Sequence, residues 1–223
     1  MKHPGPCPDP DKYILVKTRE GKHWRRKRGT VKVAKTNKVL SRNAALTAPT
    51  NEAASRFLRL LHPYVFSLDK GRLHAKLAGR LKKCINAKGK MCYSCLDGLD
   101  FQPRHPMNNL LRFSPQVRKR KGWLEVAITI DEGTVKQFSR LVTDYYFELV
   151  IVYGHLNRKR SMRLLEDVSQ LYPIEPLERS VCELCLEMPE GPWVAMLKVT
   201  CMEGDRKPAP GRNYGMRVIA YGV

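Results

Sequence analysis

From Trp123 to the end of the chain, apolar residues recur at every second position, and this period most constrains the fold. Trp123-Leu124-Glu125-Val126-Ala127-Ile128-Thr129-Ile130 reads as a strand, because side chains alternate between faces along extended backbone. Tyr145–Tyr153, Val181–Met188, Trp193–Met202 and Tyr214–Tyr221 read the same way, and Tyr145–Tyr153 is apolar enough to be central. Weaker strands are expected near Thr134–Ser139 and Ser161–Leu165. The four-residue loop Pro189-Glu190-Gly191-Pro192 predicts a hairpin joining the strands on either side of it. No helical segment in this half is strong enough to make parallel crossovers, so an antiparallel sandwich follows.

The N-terminal half has a different pattern. Residues 1–12 are Pro-rich and predict a flexible tail. Tyr13–Lys17, a turn at Glu20-Gly21 and a return over Lys22–Lys27 predict a hairpin, with Thr30–Val33 as a third short strand. Residues 34–49 read as a polar connector or a short frayed helix. A first helix is expected from about Thr50 to Leu61, capped by Thr50 or Asn51 and stopped by Pro63. A second is expected behind an Asp69 cap, with Leu73, Leu77, Leu81, Cys84 and Ile85 as its apolar stripe and Arg72, Lys76, Arg80 and Lys83 beside it. The fold class is therefore α+β: a basic N-terminal half with a β-hairpin or meander and a two-helix unit, then an antiparallel β-sandwich. The expected division is a 1–12 tail, a basic domain with its linker over 13–122, and a sandwich over 123–223.

Charge follows the same division. Met1–Gly122 holds 29 Lys+Arg against 7 Asp+Glu, a balance of +22, whereas Trp123–Val223 holds 12 against 14, a balance of −2. A balance this far from zero favours a polyanionic partner: nucleic acid, anionic lipid or an acidic protein surface. The densest run is His23-Trp24-Arg25-Arg26-Lys27-Arg28, four consecutive cations behind an aromatic ring that can stack on a base. Alternation puts Lys22, Trp24 and Arg26 on one face of the returning strand and His23, Arg25 and Lys27 on the other, so neither face suits an apolar core. A charged edge that resists aggregation would carry the same residues. A second run, Arg118-Lys119-Arg120-Lys121, reads as a basic linker at the change of composition.

Catalytic and cofactor signatures are missing. There is no G-x-S-x-G, P-loop, H-E-x-x-H or dinucleotide-binding glycine fingerprint, and no RNP, KH or zinc-finger pattern. The seven cysteines read as reduced thiols. Cys92-Tyr93-Ser94-Cys95 with Cys84 and His105 allows a Cys3His zinc site to be drawn, but Cys84 on an apolar helix stripe is explained by packing. In the second CxxC, Cys182 and Cys185 fall on opposite faces of a strand and cannot share an ion, and Cys201 reads as core. Asp97 and Asp100 read as turn residues around Gly98, and His74 as a packed histidine. No cofactor or metal is expected. The start of the chain has no apolar stretch of the secretory kind, and the longest strongly apolar run, Leu149–Tyr153, is far short of a membrane span, so a cytoplasmic location is expected.

The C-terminal segments Pro189–Val199 and Tyr214–Val218, with the order basic hairpin, two helices, β-rich half, make the chain resemble a family of uncharacterised bacterial proteins. The resemblance implies a bacterial cell and brings no activity or site residue. The expected function is non-enzymatic association with nucleic acid, through phosphate contacts from Lys22, Trp24, Arg25, Arg26, Lys27, Arg28, Arg72, Lys76, Arg80, Lys83 and Arg118–Lys121, with the sandwich making protein contacts, self-association among them. The competing expectation is a structural subunit of a larger assembly, such as a particle, filament or ribosome-associated factor, whose basic ribbon docks an acidic partner.

Overall fold

The computed structural model describes residues 5–18, 21–27, 38–68, 71–85, 90–112, 115–131, 133–136, 141–158, 161–176, 178–209 and 211–222. The chain divides into two compact units, Met1–Ala44 and Ala45–Val223.

In the first unit, β1 (Tyr13–Thr18) pairs antiparallel with β2 (Gly21–Arg26). Gly21 takes a φ of 136°, which a side chain would resist. The register sets Tyr13 opposite Arg26, Leu15 opposite Trp24 and Lys17 opposite Lys22. Residues 5–12, expected to be a loose tail, are tied to the hairpin. Tyr13 and Lys12 donate their backbone N–H groups to Asp9 O, Lys27 N–H reaches Lys12 O, and the Trp24 indole donates to Gly5 O at 2.8 Å. The expected third strand at Thr30–Val33 lies outside the described residues, as do Arg28 and the Asp69 cap.

Helix α1 (Lys38–Leu60) begins well before the expected Thr50. Thr50 therefore caps nothing. It is buried inside the helix, and its hydroxyl donates back to the carbonyls of Leu46 and Thr47, a local bond that satisfies it in place of a cap. Pro63 acts as expected: α1 stops before it, and the short α2 (His62–Val65) restarts with proline in its first turn. In α3 (Leu73–Lys83), Leu73, Leu77 and Leu81 are buried. His74, expected to be packed, is exposed, and its Nε2 meets Ser55 Oγ at 3.0 Å. A 3-10 turn (Tyr93–Leu96) and the short α4 (Met107–Leu110) complete the helical part.

Three antiparallel sheets occur among the described residues, the β1–β2 hairpin being one. The largest is ordered β10-β9-β5-β6, with β7 (Tyr172–Pro173) also against β5; here β5 is Asp144–Tyr153, β6 Arg163–Val168, β9 Trp193–Met202 and β10 Tyr214–Gly222. The third is ordered β3-β4-β8: Gln116–Arg120, Trp123–Ile130 and Ser180–Glu187. The two larger sheets form the sandwich. Leu124, Val126, Ile128, Ile130, Cys182 and Leu184 pack against Phe147, Leu149, Ile151, Leu197 and Val199. The opposite face of the larger sheet is covered too: Val150, Val152, Val194, Met196, Met216 and Val218 share a core with Phe57, Leu61, Leu77, Leu81, Leu96 and Phe101. Helices, central sheet and outer sheet thus form three layers within Ala45–Val223, and β5 and β9 are apolar almost throughout because both their faces are buried.

Four expectations change here. The unit division falls after Ala44 rather than near Gly122, because the helices bury their stripes on the same sheet the sandwich uses. The basic run at 118–121 is no linker but β3 and its turn into β4, where Lys121 takes a positive φ of 43° ahead of Gly122. Strands β8 and β9 do not form a hairpin. Both edges of β9 are occupied by β5 and β10, so β8 joins β4, and Pro189–Pro192 carries the chain from one sheet to the other. Of the strand expected near Thr134–Ser139, residues 137–139 lie outside the described residues, and the described part forms a single bridge, Leu111 to Val135, with Thr134 engaged in a turn with Asp131. No helix among the described residues is long and apolar enough to cross a membrane.

Candidate nucleic-acid interface

The hairpin carries the clearest cationic surface. Lys17, Lys22, Arg25 and Arg26 are all exposed, on both faces of the ribbon. Lys17 and Lys22 are direct cross-strand partners, an arrangement in which like charges repel. Arg26 Nε donates to the Tyr13 hydroxyl at 3.2 Å and its guanidinium lies 5.9 Å from that ring's centre, which raises the arginine's pKa above its ordinary value. Trp24 is half-buried, held by its bond to Gly5 O, and Lys27 is half-buried beside Lys12. One nearby acid is already engaged: Lys12 pairs with Asp9 at 2.7 Å and holds its carboxyl below the usual range. Met1–Ala44 contains 13 Lys+Arg against 3 Asp+Glu, a balance of +10 in 44 residues.

The stripe on α3 is weaker. Arg72, Lys76 and Lys83 are exposed, but Arg80 turns inward and donates to the carbonyls of Cys95 (3.3 Å) and Asp97 (2.8 Å), bracing the 3-10 turn against the helix. Lys82, between the stripe's positions, reaches Thr47 Oγ1 at 3.2 Å. The third cluster, on β3, divides by alternation. Arg118 and Arg120 share the outer face with Glu125, Glu183 and Glu187, because the register sets Arg118 opposite Glu125 and Trp123 between Arg120 and Glu187. Lys119 points the other way. Its Nζ donates to Tyr221 O at 2.8 Å and lies 4.7 Å from the Trp193 ring centre. Lys121 is exposed in the turn. Of the expected residues, the structure brings Lys22, Trp24, Arg25 and Arg26 together on one ribbon, joined by Lys17.

Two groupings lie outside that expectation. Glu148 and Lys198, directly opposite on β5 and β9, form an ion pair at 2.6 Å; Glu148 is 8% exposed and Lys198 4%. Thr200 Oγ1 donates to Glu148 Oε2 at 3.2 Å, and Lys198 Nζ lies 5.7 Å from the Tyr64 ring centre. The Tyr64 hydroxyl donates to Glu166 Oε2, and burial together with that carboxylate pushes the phenol well above its ordinary pKa. The signal in sequence is one opposite charge inside each of the two most apolar strands.

The second grouping is of thiols. Cys95 Sγ donates to Cys92 O at 3.1 Å, Cys92 Sγ meets Ser94 Oγ at 2.9 Å, and Cys92 Sγ lies 3.8 Å from Cys84 O. Burial is the largest cause of a strongly raised Cys95 pKa, and the neighbouring Cys84 and Cys92 add to it. His105 does not line the cavity beside these thiols; His155 does. Among the described residues no group of three His, Cys, Asp or Glu side chains is placed to hold a metal ion. Asp100 caps α4, accepting from Met107 N–H at 3.0 Å, and Asp97 sits in the Gly98 turn. Cys182 and Cys201 are buried and Cys185 is exposed, as strand alternation requires.

No family model, no curated protein and no solved structure matches the chain, so no site residue or activity comes to it from a relative.

Proposed function

We propose that this protein associates with nucleic acid without catalysing a reaction, and that the β1–β2 ribbon is its principal phosphate-binding surface. The observation that carries the reading is the exposed Lys17–Lys22 cross-strand pair with Arg26 in the same row and Arg25 on the reverse face. Like charges held opposite one another cost a hairpin stability, and a bound polyanion removes that cost. Trp24 and Tyr13 add aromatic surface beside the cations, the combination used for single strands. The exposed cations of α3 offer phosphate contacts of their own on the second unit, whereas Arg118 and Arg120 contribute less because three glutamates share their face. The sandwich is left for protein contacts.

The test is anisotropy of a labelled oligonucleotide between about 50 and 200 mM salt, where phosphate neutralisation makes log K fall linearly with log salt. Replacing Arg25 and Arg26 by Ala should flatten that slope by about 1.4 on single strands and about 1.8 on duplex. Absence of affinity for DNA and RNA at low salt overturns the reading, and an unchanged slope moves the site to α3. A second reading, an assembly subunit whose ribbon docks an acidic protein, is favoured by Ile14 (45% exposed) and Leu15 (46%) on the same ribbon. It would show as recovery from cells with a protein and no nucleic acid.

A further inference from the structure

The outer face of the β3-β4-β8 sheet points away from the sandwich core. Register sets its side chains in rows across the three strands. The first row is Arg120, Trp123 and Glu187. The next is Arg118, Glu125 and Cys185, and the third is Gln116, Ala127 and Glu183. One edge of the face therefore carries two cations, Arg118 and Arg120, and the other edge two carboxylates, Glu183 and Glu187; all four are exposed. Between the edges, over Ala127, lies a hollow of about 300 Å³ walled by Arg118 and Glu183, so the charged ends stand above the floor. Trp123, 47% exposed, and Val181, 57% exposed, add apolar surface to the same face.

We propose that two copies of this chain associate through this face, related by a twofold axis that runs along β4 between them. Such an axis exchanges the edges: β3 of each copy lies over β8 of the other, at the same level along the strands. Arg120 then meets Glu187 of the second copy, and Gln116 meets its Glu183. Arg118 stands over Cys185 of the second copy, with those two glutamates one step to either side. Trp123 meets its own copy. A twofold running across the strands would instead lay β3 on β3 and β8 on β8, cation on cation and carboxylate on carboxylate, so charge selects the first arrangement. One contact opposes it: Glu125, on the central strand, faces its own copy across the axis. At ordinary strand spacing and rise the face measures about 14 by 26 Å, enough to bury on the order of 1,000 Å² in a dimer, the low end for specific interfaces. The association is accordingly weak, reversible and reduced by salt. Nothing in it draws on the ribbon, so it holds whether or not the ribbon binds nucleic acid.

Sedimentation equilibrium of the full chain, freed of nucleic acid, should show a monomer–dimer equilibrium between about 1 and 200 µM at about 50 mM salt. Two charge-reversed chains then separate this face from any other. Arg118→Glu/Arg120→Glu makes both edges acidic, and Glu183→Arg/Glu187→Arg makes both basic. Each alone should dimerise at least about tenfold more weakly than the parent. An equimolar mixture should form a heterodimer at least as tight as the parent dimer, because opposite charges again meet at both edges. Glu125→Gln removes the like charges facing across the axis and should tighten the parent dimer. A parent that stays monomeric at the top of the concentration range overturns the proposal. So does a mixture that fails to associate, or a looser dimer with Glu125→Gln. Undiminished dimerisation of both reversed chains overturns it too, by placing the contact elsewhere. The parent and Glu125→Gln measurements decide the matter even if a reversed chain misfolds.

Discussion

Replacing Lys198 by methionine should cost this protein far more than replacing both members of its ion pair. The pair sits between the helices and the central sheet, Lys198 Nζ 2.6 Å from Glu148 Oε2, and both side chains are almost fully buried. At an effective dielectric constant of about 20 the attraction at that separation is about 6 kcal/mol. Removing the two ions from water costs several kcal/mol each, so the pair as a whole comes out near zero. Lys198→Met keeps the volume but leaves the Glu148 carboxylate buried with Thr200 Oγ1 as the hydrogen-bond donor that remains to it. The expected loss is about 3–5 kcal/mol. The double variant Glu148→Leu/Lys198→Met removes the orphaned charge and should lie within about 1 kcal/mol of the parent, or above it. Urea unfolding at neutral pH, with equal m-values across the set, measures both quantities. If the single variant loses less than about 1 kcal/mol, or the double variant loses the sum of the two singles, the pair is not a closed buried unit and the reasoning fails.

Three other outcomes are expected. Lys22→Glu turns the Lys17–Lys22 repulsion into an attraction, so the hairpin should gain a few tenths of a kcal/mol to about 1 kcal/mol while nucleic-acid affinity falls; amide exchange over β1 and β2, read beside anisotropy, shows whether the two effects have opposite signs. Burial pushes Tyr145, Tyr214 and Cys201 up to about 12, from ordinary values of 10, 10 and 9. These groups are neutral when protonated, so the unfolded chain ionises first: stability should be intact below about pH 9 and fall as pH rises towards 12, by at most about 1.4 kcal/mol per unit of difference for each group, measured by urea midpoints across that range. Gly154→Ala should destabilise by about 2 kcal/mol or more in a thermal melt, because φ is 103° there and the new methyl would land on the Ser161 carbonyl.

Much of the fold is legible in the sequence where a period is long and unbroken. The five main strands and α3 announce themselves because one or both faces are buried along their whole length. Sheet membership is a different matter. The Pro189–Pro192 loop has hairpin length, yet β8 pairs with β4, since pairing is decided by which edges β5 and β10 leave open. The first eleven residues of α1 carry no apolar period and precede Pro49, so local pattern predicts a connector there. In the candidate site the cations are legible one by one, but their availability is not. Arg80 and Lys119 sit in runs that look identical to their neighbours until the carbonyls they bind are known. The placing of Cys84 beside Cys92 is likewise a property of how α3 ends against the 3-10 turn, and spacing alone also admits His105.

The two units carry the same net charge, +10 each, on very different numbers of residues: 44 against 179. They differ in the fate of part of the cations, since Arg72, Lys76, Lys83 and Lys121 of the larger unit are exposed as well. In Ala45–Val223, Arg56 donates to Glu52 and to Leu156 O, Arg80 and Lys119 serve carbonyls, and Lys198 is closed into the core. Each of those charges is part of the packing. On the β1–β2 ribbon, Lys17, Lys22 and Arg25 stand exposed, two of them facing each other across the strands. A hairpin of six-residue strands has little core with which to offset that repulsion. Keeping such charges on the least stable element makes physical sense if their counter-charge comes from outside the chain, and a phosphate backbone supplies it in a row.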